Sequence, residues 1–170
     1  MTSRLLVDKI EGKTTASTVE MPSGTPIQLQ TTQGNFSYQE ISSTSMVEVT
    51  DMNVTITPKF ASSKILISLQ TAFWFTTDAN NYMITTIYRS IDGGSFSNLA
   101  VDNTYDALRF HSAARTATWT SPANIDYIDT PNTTSAVVYK FYARRYDGTN
   151  NVRVKYAQTS SFIMATEVAQ

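Results

Sequence analysis

The one histidine of the chain, His111, is the residue to which most catalytic chemistry would have to be assigned. The 170 residues include no cysteine, which excludes disulfides, thiolate metal sites, iron–sulfur clusters and cysteine nucleophiles. A Ser-His-Asp triad would have to use His111, which lies in a linking stretch that also holds Asp102 and Asp106. Nothing in that spacing supports a hydrolase. We interpret His111 as a structural loop residue and assign no catalytic residue.

Paired carboxylates are the second chemistry that the sequence permits. Asp126 and Asp129 flank Tyr127-Ile128, and a glycosidase needs two carboxyl groups about 5–10 Å apart. We favour turn and loop capping before Pro131 as the role of these two residues. Asp and Asn side chains within 78–81 and 147–151 are of the type that calcium accepts, but their acidic density is too low for a dedicated site. The sequence therefore predicts a non-enzymatic protein without metal or cofactor.

The charge balance bears on the partners of the chain. Thirteen basic residues oppose fourteen acidic ones, only 16% of residues are charged, and the formal net charge is −1. Nucleic-acid binding needs clustered positive charge, so we expect no nucleic-acid partner. No apolar stretch approaches the ~20 residues of a membrane span, and no targeting signal is evident. We expect synthesis in a cytoplasm and no membrane insertion.

Alternation of apolar and polar residues dominates the chain from about residue 27 onward. Strands are predicted at Lys64–Phe75, Tyr82–Arg89, Phe96–Val101, Ser135–Arg145, 152–156 and 162–168, and weaker ones at Ser45–Val49, Val54–Thr57, Arg115–Thr120 and Ile125–Ile128. Turn residues at 77–81 indicate a hairpin between the first two. Ser and Thr make up roughly a quarter of the chain, and no long amphipathic helix is found. The pattern predicts an all-β, jelly-roll-like antiparallel β-sandwich with an extended N-terminal arm.

The arm is predicted over residues 1–30 and the sandwich head over 31–170. Residues 11–26 are mostly small and polar, with Pro and Gly as punctuation, so they cannot build a core. The apolar residues Leu5, Val7, Ile10 and Met21 are therefore predicted to dock on another component. The alternative is a disordered tail.

Several strands are apolar on both faces, notably Lys64–Phe75, Ser135–Arg145 and 160–168. A lone two-sheet sandwich buries only one face of each sheet, so a second apolar face indicates a covering partner. An oligomer is the simplest prediction, and a homotrimer is the hypothesis for its symmetry. Five aromatic residues are candidates for the subunit interface or for a sugar-stacking platform, with packing in the core as the further alternative: Trp74, Tyr82, Tyr105, Trp119 and Tyr127.

Several stretches resemble small virion proteins of tailed phages, especially cyanophages. These are Leu5–Thr15 with Met21–Gly24, Ile56–Ile67, Tyr88–Ser90, Tyr127–Lys140 and Ser161–Val168. They occur in the same order as in that family and span nearly the whole chain. The resemblance implies a jelly-roll head, trimers and a location on the virion, and it supplies no catalytic residues.

Three functions follow as hypotheses. In the first, the chain is a short fibre or appendage whose arm anchors it to other virion proteins and whose head binds a bacterial surface glycan. In the second, it is a capsid decoration protein that stabilises the head shell. In the third, it is a carbohydrate-binding module. The sequence contains no coiled-coil heptads or β-helical shaft, so in either virion location the head would lie close to the particle.

Overall fold

A computed structural model of the chain describes residues 22–75, 81–100, 108–112, 118–146, 152–155 and 160–170. Every helix or strand within these ranges is a β-strand, so they hold no helix long and apolar enough to cross a membrane. In chain order the strands are β1 (Pro26–Gly34), β2 (Gln39–Ile41), β3 (Val47–Ile56), β4 (Lys64–Phe75), β5 (Asn81–Ile91), β6 (Ser97–Asn98), β7 (Leu108–Ser112), β8 (Trp119–Asp129), β9 (Val137–Arg145), β10 (Val152–Val154) and β11 (Ser161–Val168).

These strands form two antiparallel sheets. In sheet A the order is β1-β11-β4-β8, and the short pair β10-β2 continues along the β11 side of β4. In sheet B the order is β3-β9-β5, with β7 and β6 on the far edge of β5. The chain passes repeatedly from one sheet to the other, as it does in a jelly roll. The predicted fold class, a jelly-roll-like antiparallel sandwich, is confirmed.

The core lies between the two sheets and is built by the predicted alternation. On β4 every second residue from Ile65 to Phe75 is buried, and this is the more apolar of its two faces. Phe73 of sheet A stacks on Phe141 of sheet B with ring centroids 6.5 Å apart. Each large buried aliphatic or aromatic side chain contributes about 1.5–3 kcal/mol, so this shared layer is the main force that holds the sheets together.

The predicted hairpin between β4 and β5 is wrong, because the two strands lie in different sheets. Turn residues indicate that the chain reverses, but they carry no information on whether the flanking strands pair. His111, predicted in a linking stretch, belongs to β7 at the edge of sheet B.

One pair of weak predicted strands is a single strand in the structure. The strands predicted at Ser45–Val49 and Val54–Thr57 are continuous in β3, which contains a bulge. Glu48 pairs with Tyr142 and Asn53 pairs with Lys140, so residues 49–52 lie opposite a single residue of β9. Asp51 in this bulge has a φ of 67°, a conformation that aspartate tolerates better than most residues.

The backbone of the β3 bulge is bonded by side chains from sheet A. The Gln39 amide donates to the Glu48 carbonyl and accepts from the Thr50 N–H, each at 2.8 Å. The ammonium of Lys155, which is 2% exposed, donates to the Thr50 carbonyl at 2.7 Å. These bonds satisfy groups that the β3–β9 ladder leaves unpaired, and they tie one sheet to the other.

Strand β8 contains the strand predicted at Ile125–Ile128 and residues 119–120 of the one predicted at Arg115–Thr120, whose residues 115–117 lie outside the described ranges; in β8, Pro122 lies opposite Ala72. Among the described residues β8 pairs only with β4, so it forms an edge of sheet A. Proline lacks an N–H and is tolerated on an edge strand, which explains why it does not interrupt β8.

A buried carboxylate fixes the connection between β3 and β4. Glu167 on β11 is 0% exposed, and one of its oxygens accepts bonds from the Lys59 and Phe60 N–H groups and the Ser63 hydroxyl. Its other oxygen accepts from the Gln28 amide at 2.6 Å. The charge is thereby solvated by protein donors instead of water.

The predicted boundary between arm and head at residue 30 runs through β1, which begins at Pro26 and pairs with β11. The predicted arm residues Leu5, Val7, Ile10 and Met21 lie outside the described residues.

Candidate interaction surfaces

The outer face of sheet A carries apolar side chains on neighbouring strands. Leu29 of β1, Leu66 of β4 and Ile128 of β8 lie in one row across the sheet, with Thr166 of β11 between the first two. Leu29 is 53% exposed and Ile128 is 64% exposed. Single exposed apolar residues are common, but a contiguous row across four strands is typical of an interaction surface.

Strand β11 extends this apolar surface along the sheet. Its buried positions are Ser161, Ile163, Ala165 and Glu167, whereas Phe162, Met164 and Val168 are half-buried on the outer face. The more polar set therefore faces the core, where Glu167 binds the β3–β4 connection, and the more apolar set faces outward. We call the side chains of Leu29, Leu66, Ile128, Phe162, Met164 and Val168 the apolar face of sheet A.

Charge is sparse next to the apolar face. Lys64 lies at one end of β4, and Asp126 of β8 accepts a bond from the Ser68 hydroxyl at 2.6 Å. Lys64 makes no ion pair with any residue that the structure describes. A surface with few charges has a small desolvation penalty when another protein surface covers it.

A groove of about 150 Å³ opens at the Lys64 end of the apolar face. Its walls are formed by Leu66, Ile128 and Val168, and Lys64 and Gln170 lie at its rim. The groove therefore combines an apolar floor with one cationic group.

At the other end of sheet A, the side chain of Arg153 stacks on the rings of Tyr38 and Trp74. The Arg153 guanidinium lies 4.6 Å from the ring centroids of both Tyr38 and Trp74, and its Nε is 3.3 Å from a carboxylate oxygen of Glu40. The three strands β2, β10 and β4 are linked in this way. Trp74, one of the predicted platform residues, is thus a half-buried member of an ordered stack on the outer face.

The outer face of sheet B differs in chemistry, because tyrosines and cations lie on it beside the buried Ile84 and the half-buried Val138. Tyr88 and Tyr142 pack with ring centroids 4.1 Å apart. Lys140 lies 4.6 Å from the Phe96 ring centroid and forms an ion pair with Glu48 at 2.8 Å. Aromatic rings with polar neighbours suit contacts with a hydrated polar ligand better than a dry interface.

The five predicted aromatic candidates do not form one cluster. Tyr82 lies on sheet B, where it meets Tyr146 edge to face at 6.1 Å. Trp119 and Tyr127 of β8 pack against the core; Trp119 stacks on Phe75 at 5.0 Å, and the Tyr127 hydroxyl donates to the Leu99 carbonyl. Tyr105 lies outside the described residues.

Sequence reasoning missed Tyr88, Tyr142 and Phe96, which form the aromatic surface of sheet B. The sequence did contain an indication of Tyr88, because Tyr88 and Tyr82 lie on the same face of one alternating strand. The pairing of β5 with β9, which places Tyr88 opposite Lys140 and diagonally next to Tyr142, is non-local and could not be found in one sequence.

The two carboxylates considered for acid–base chemistry lie on opposite faces of β8. Asp126 is exposed, whereas Asp129 is buried between the sheets, where its oxygens accept from Arg89 at 2.8 and 3.1 Å and from the Tyr139 hydroxyl at 2.8 Å. Alternation along a strand separates residues three apart in this way, so the pair cannot act on one substrate atom. Burial, followed by the charge of Asp129 and its hydrogen bond, raises the pKa of Tyr139 far above its usual value.

No protein-family model matches the chain, and no curated protein matches it in sequence. Among solved structures, the chain is similar to one described as "Structure of infectious bursal disease virus Gx strain", with a TM-score of 0.44 and 13% sequence identity. The alignment covers 96% of this chain and 38% of that chain. A similarity at this level carries no conclusion about function.

Proposed function

We propose that this chain is a non-enzymatic structural protein of a bacteriophage virion. It would act as a short appendage: the arm, through Leu5, Val7, Ile10 and Met21, anchors it to capsid or tail proteins, and the jelly-roll head projects outward. The observation that carries the proposal is the apolar face of sheet A. An extended apolar face on an otherwise complete sandwich suits a protein that works inside an assembly.

The first partner in that assembly is a second copy of the chain, and we propose a homotrimer. Identical subunits form closed rings when one face of each meets a different face of the next. The apolar face, with few charges around it, supplies a surface that other copies can cover at low desolvation cost. The sequence resemblance to phage appendage proteins supports the same arrangement.

The face that remains outward in such a trimer is that of sheet B. Its tyrosines, together with the loops that the sequence places at 92–95 and 147–151, are proposed to meet a bacterial surface glycan. Tyrosine suits this role because its ring stacks on the apolar side of a sugar and its hydroxyl bonds to sugar hydroxyls. Binding through stacking needs no metal or cofactor.

The copy number of the protein on the particle tests the proposal. Gel densitometry of purified virions, calibrated against a capsid protein of known copy number, is expected to give a few tens of copies or fewer for an appendage. Hundreds of copies would assign the chain to capsid decoration, in which the head stabilises the shell. Absence from particles washed at high salt would contradict both and favour a free carbohydrate-binding module.

A further inference from the structure

The apolar groove of sheet A lies next to the point where the described chain begins. The Gly24 N–H donates to the Ala169 carbonyl and the Ala169 N–H donates to the Thr25 carbonyl, each at 2.9 Å. These bonds hold residues 24–25 against the chain that contributes Val168 and Gln170 to the groove. The preceding residues therefore join the head within a few strand widths of the groove.

Among the residues outside the described ranges, one run matches the groove in chemistry. Leu5-Leu6-Val7 is their longest apolar run, and Asp8 follows it directly. A volume of about 150 Å³ is that of a cavity able to hold one benzene-sized apolar group, so it suits one aliphatic side chain. Asp8 would bring a carboxylate to the rim that carries the Lys64 ammonium.

The connecting length permits this contact. Fifteen residue steps separate Val7 from Pro22, and an extended chain of that length reaches about 50 Å. The groove spans β11, β4 and β8, whose backbones are about 4.8 Å apart, so the distance to be bridged is only about 10–15 Å. A tether of this length gives a high effective concentration of the segment at the groove.

We propose that residues Leu5–Asp8 of the arm dock in the groove formed by Leu66, Ile128 and Val168, with Asp8 facing Lys64. This contact belongs to the protein before it joins a particle, and it occupies only the Lys64 end of the apolar face, so Leu29, Phe162 and Met164 remain for contact between copies. It covers the apolar residues of the arm until another virion protein competes for them. The inference concerns the free chain and does not depend on the virion assignment.

Cysteine cross-linking tests the contact directly, because the native chain contains no cysteine. The full chain with Val7→Cys and Ile128→Cys is oxidised with copper phenanthroline, and disulfide formation is followed on non-reducing gels. The matched control carries Thr15→Cys and Ile128→Cys. Thr15 is nearer to the head along the chain, so a freely moving arm would favour the control pair.

Docking predicts at least tenfold faster disulfide formation in the Val7 pair than in the Thr15 pair. Adding Leu5→Asp and Leu6→Asp to the Val7 pair should reduce its rate to that of the control. A cross-link within one chain and a cross-link between two copies both support docking of Leu5–Asp8 in the groove, because the same segment occupies the groove in either case. Equal rates in the two pairs would overturn the proposal, whatever the mass and virion copy number turn out to be.

Discussion

At the scale of single residues, Tyr139 shows how burial converts a common side chain into a pH-sensitive one. The ring is 0% exposed, and its hydroxyl donates to the buried Asp129 carboxylate. Burial, the Asp129 charge and that hydrogen bond all favour the protonated form and raise the pKa of Tyr139, while Arg89 opposes them. The folded protein therefore holds a proton that the unfolded chain releases near pH 10.

The resulting prediction concerns stability in alkali. Because folding raises the pKa of Tyr139, the contribution of this group to the free energy of unfolding is complete below about pH 10. As the pH rises further, that contribution is lost at about 1.4 kcal/mol per pH unit. Tyr139→Phe should lower the free energy of unfolding at pH 7 by about 1.5–3 kcal/mol and flatten its decline between pH 10 and 12. Urea unfolding across that range measures both.

The control for this prediction is Tyr38→Phe, because Tyr38 is 53% exposed. This variant should lose free energy of unfolding between pH 10 and 12 as steeply as the native protein does. An equal slope in the Tyr139→Phe protein would contradict the assigned role of Tyr139.

At the scale of the element, Glu167 decides the path of the chain between β3 and β4. Four donors converge on its two carboxylate oxygens, and three of them belong to residues 59–63. In the sequence, Glu167 alternates with Phe162, Met164 and Val168, and the pattern does not specify which of the two faces is buried. In the structure Glu167 is buried, since the connection arrives from the other sheet and supplies the donors.

Substitution of Glu167 measures the strength of this connection. Glu167→Ala leaves buried N–H and hydroxyl donors without acceptors and should lower the free energy of unfolding by about 3 kcal/mol or more. Glu167→Gln retains one oxygen for the donors of residues 59–63 and should cost less. Urea denaturation gives the free energy of unfolding of both variants. The dependence of this free energy on urea concentration is compared with that of the native protein.

Glu48→Ala is the matched control, since it removes the same group from a half-exposed ion pair with Lys140. Such a surface pair contributes about 0–1 kcal/mol. If the two alanine variants lose equal stability, the carboxylate of Glu167 does not hold the β3–β4 connection.

At the scale of the whole molecule, we propose that the two outer faces have different partners: the apolar face of sheet A would contact other copies, and the tyrosine face of sheet B would contact a ligand. Light scattering of the native chain should give a mass three times 18.9 kDa. Met164→Glu places a charge in the middle of the apolar face, where covering it would cost several kcal/mol, and should reduce the mass to that of one chain.

Thr55→Glu is the control for this prediction, because Thr55 is exposed on the outer face of sheet B. It should leave the mass of the native protein unchanged. Circular dichroism shows whether both variants remain folded. A native protein that scatters as a single chain at micromolar concentration would contradict the trimer.

Sequence alone determined the all-β class and most strands, because alternation is local and has a period of two. It also showed that β4, β9 and β11 are apolar on both faces. Where both faces are apolar, however, alternation does not specify which one is inside. On β11 the face with the larger apolar residues is outside, since Glu167 is required within.

Only the tertiary structure decided which strands pair and which sheet each one joins. Pairing joins residues far apart in the chain, as β1 with β11, and one sequence holds no record of such contacts. For this reason the β4–β5 hairpin was predicted wrongly, and the tyrosine face of sheet B was missed. The groove at Lys64 exists because β11, β4 and β8 lie side by side, and this arrangement too is determined by the packing of the whole chain.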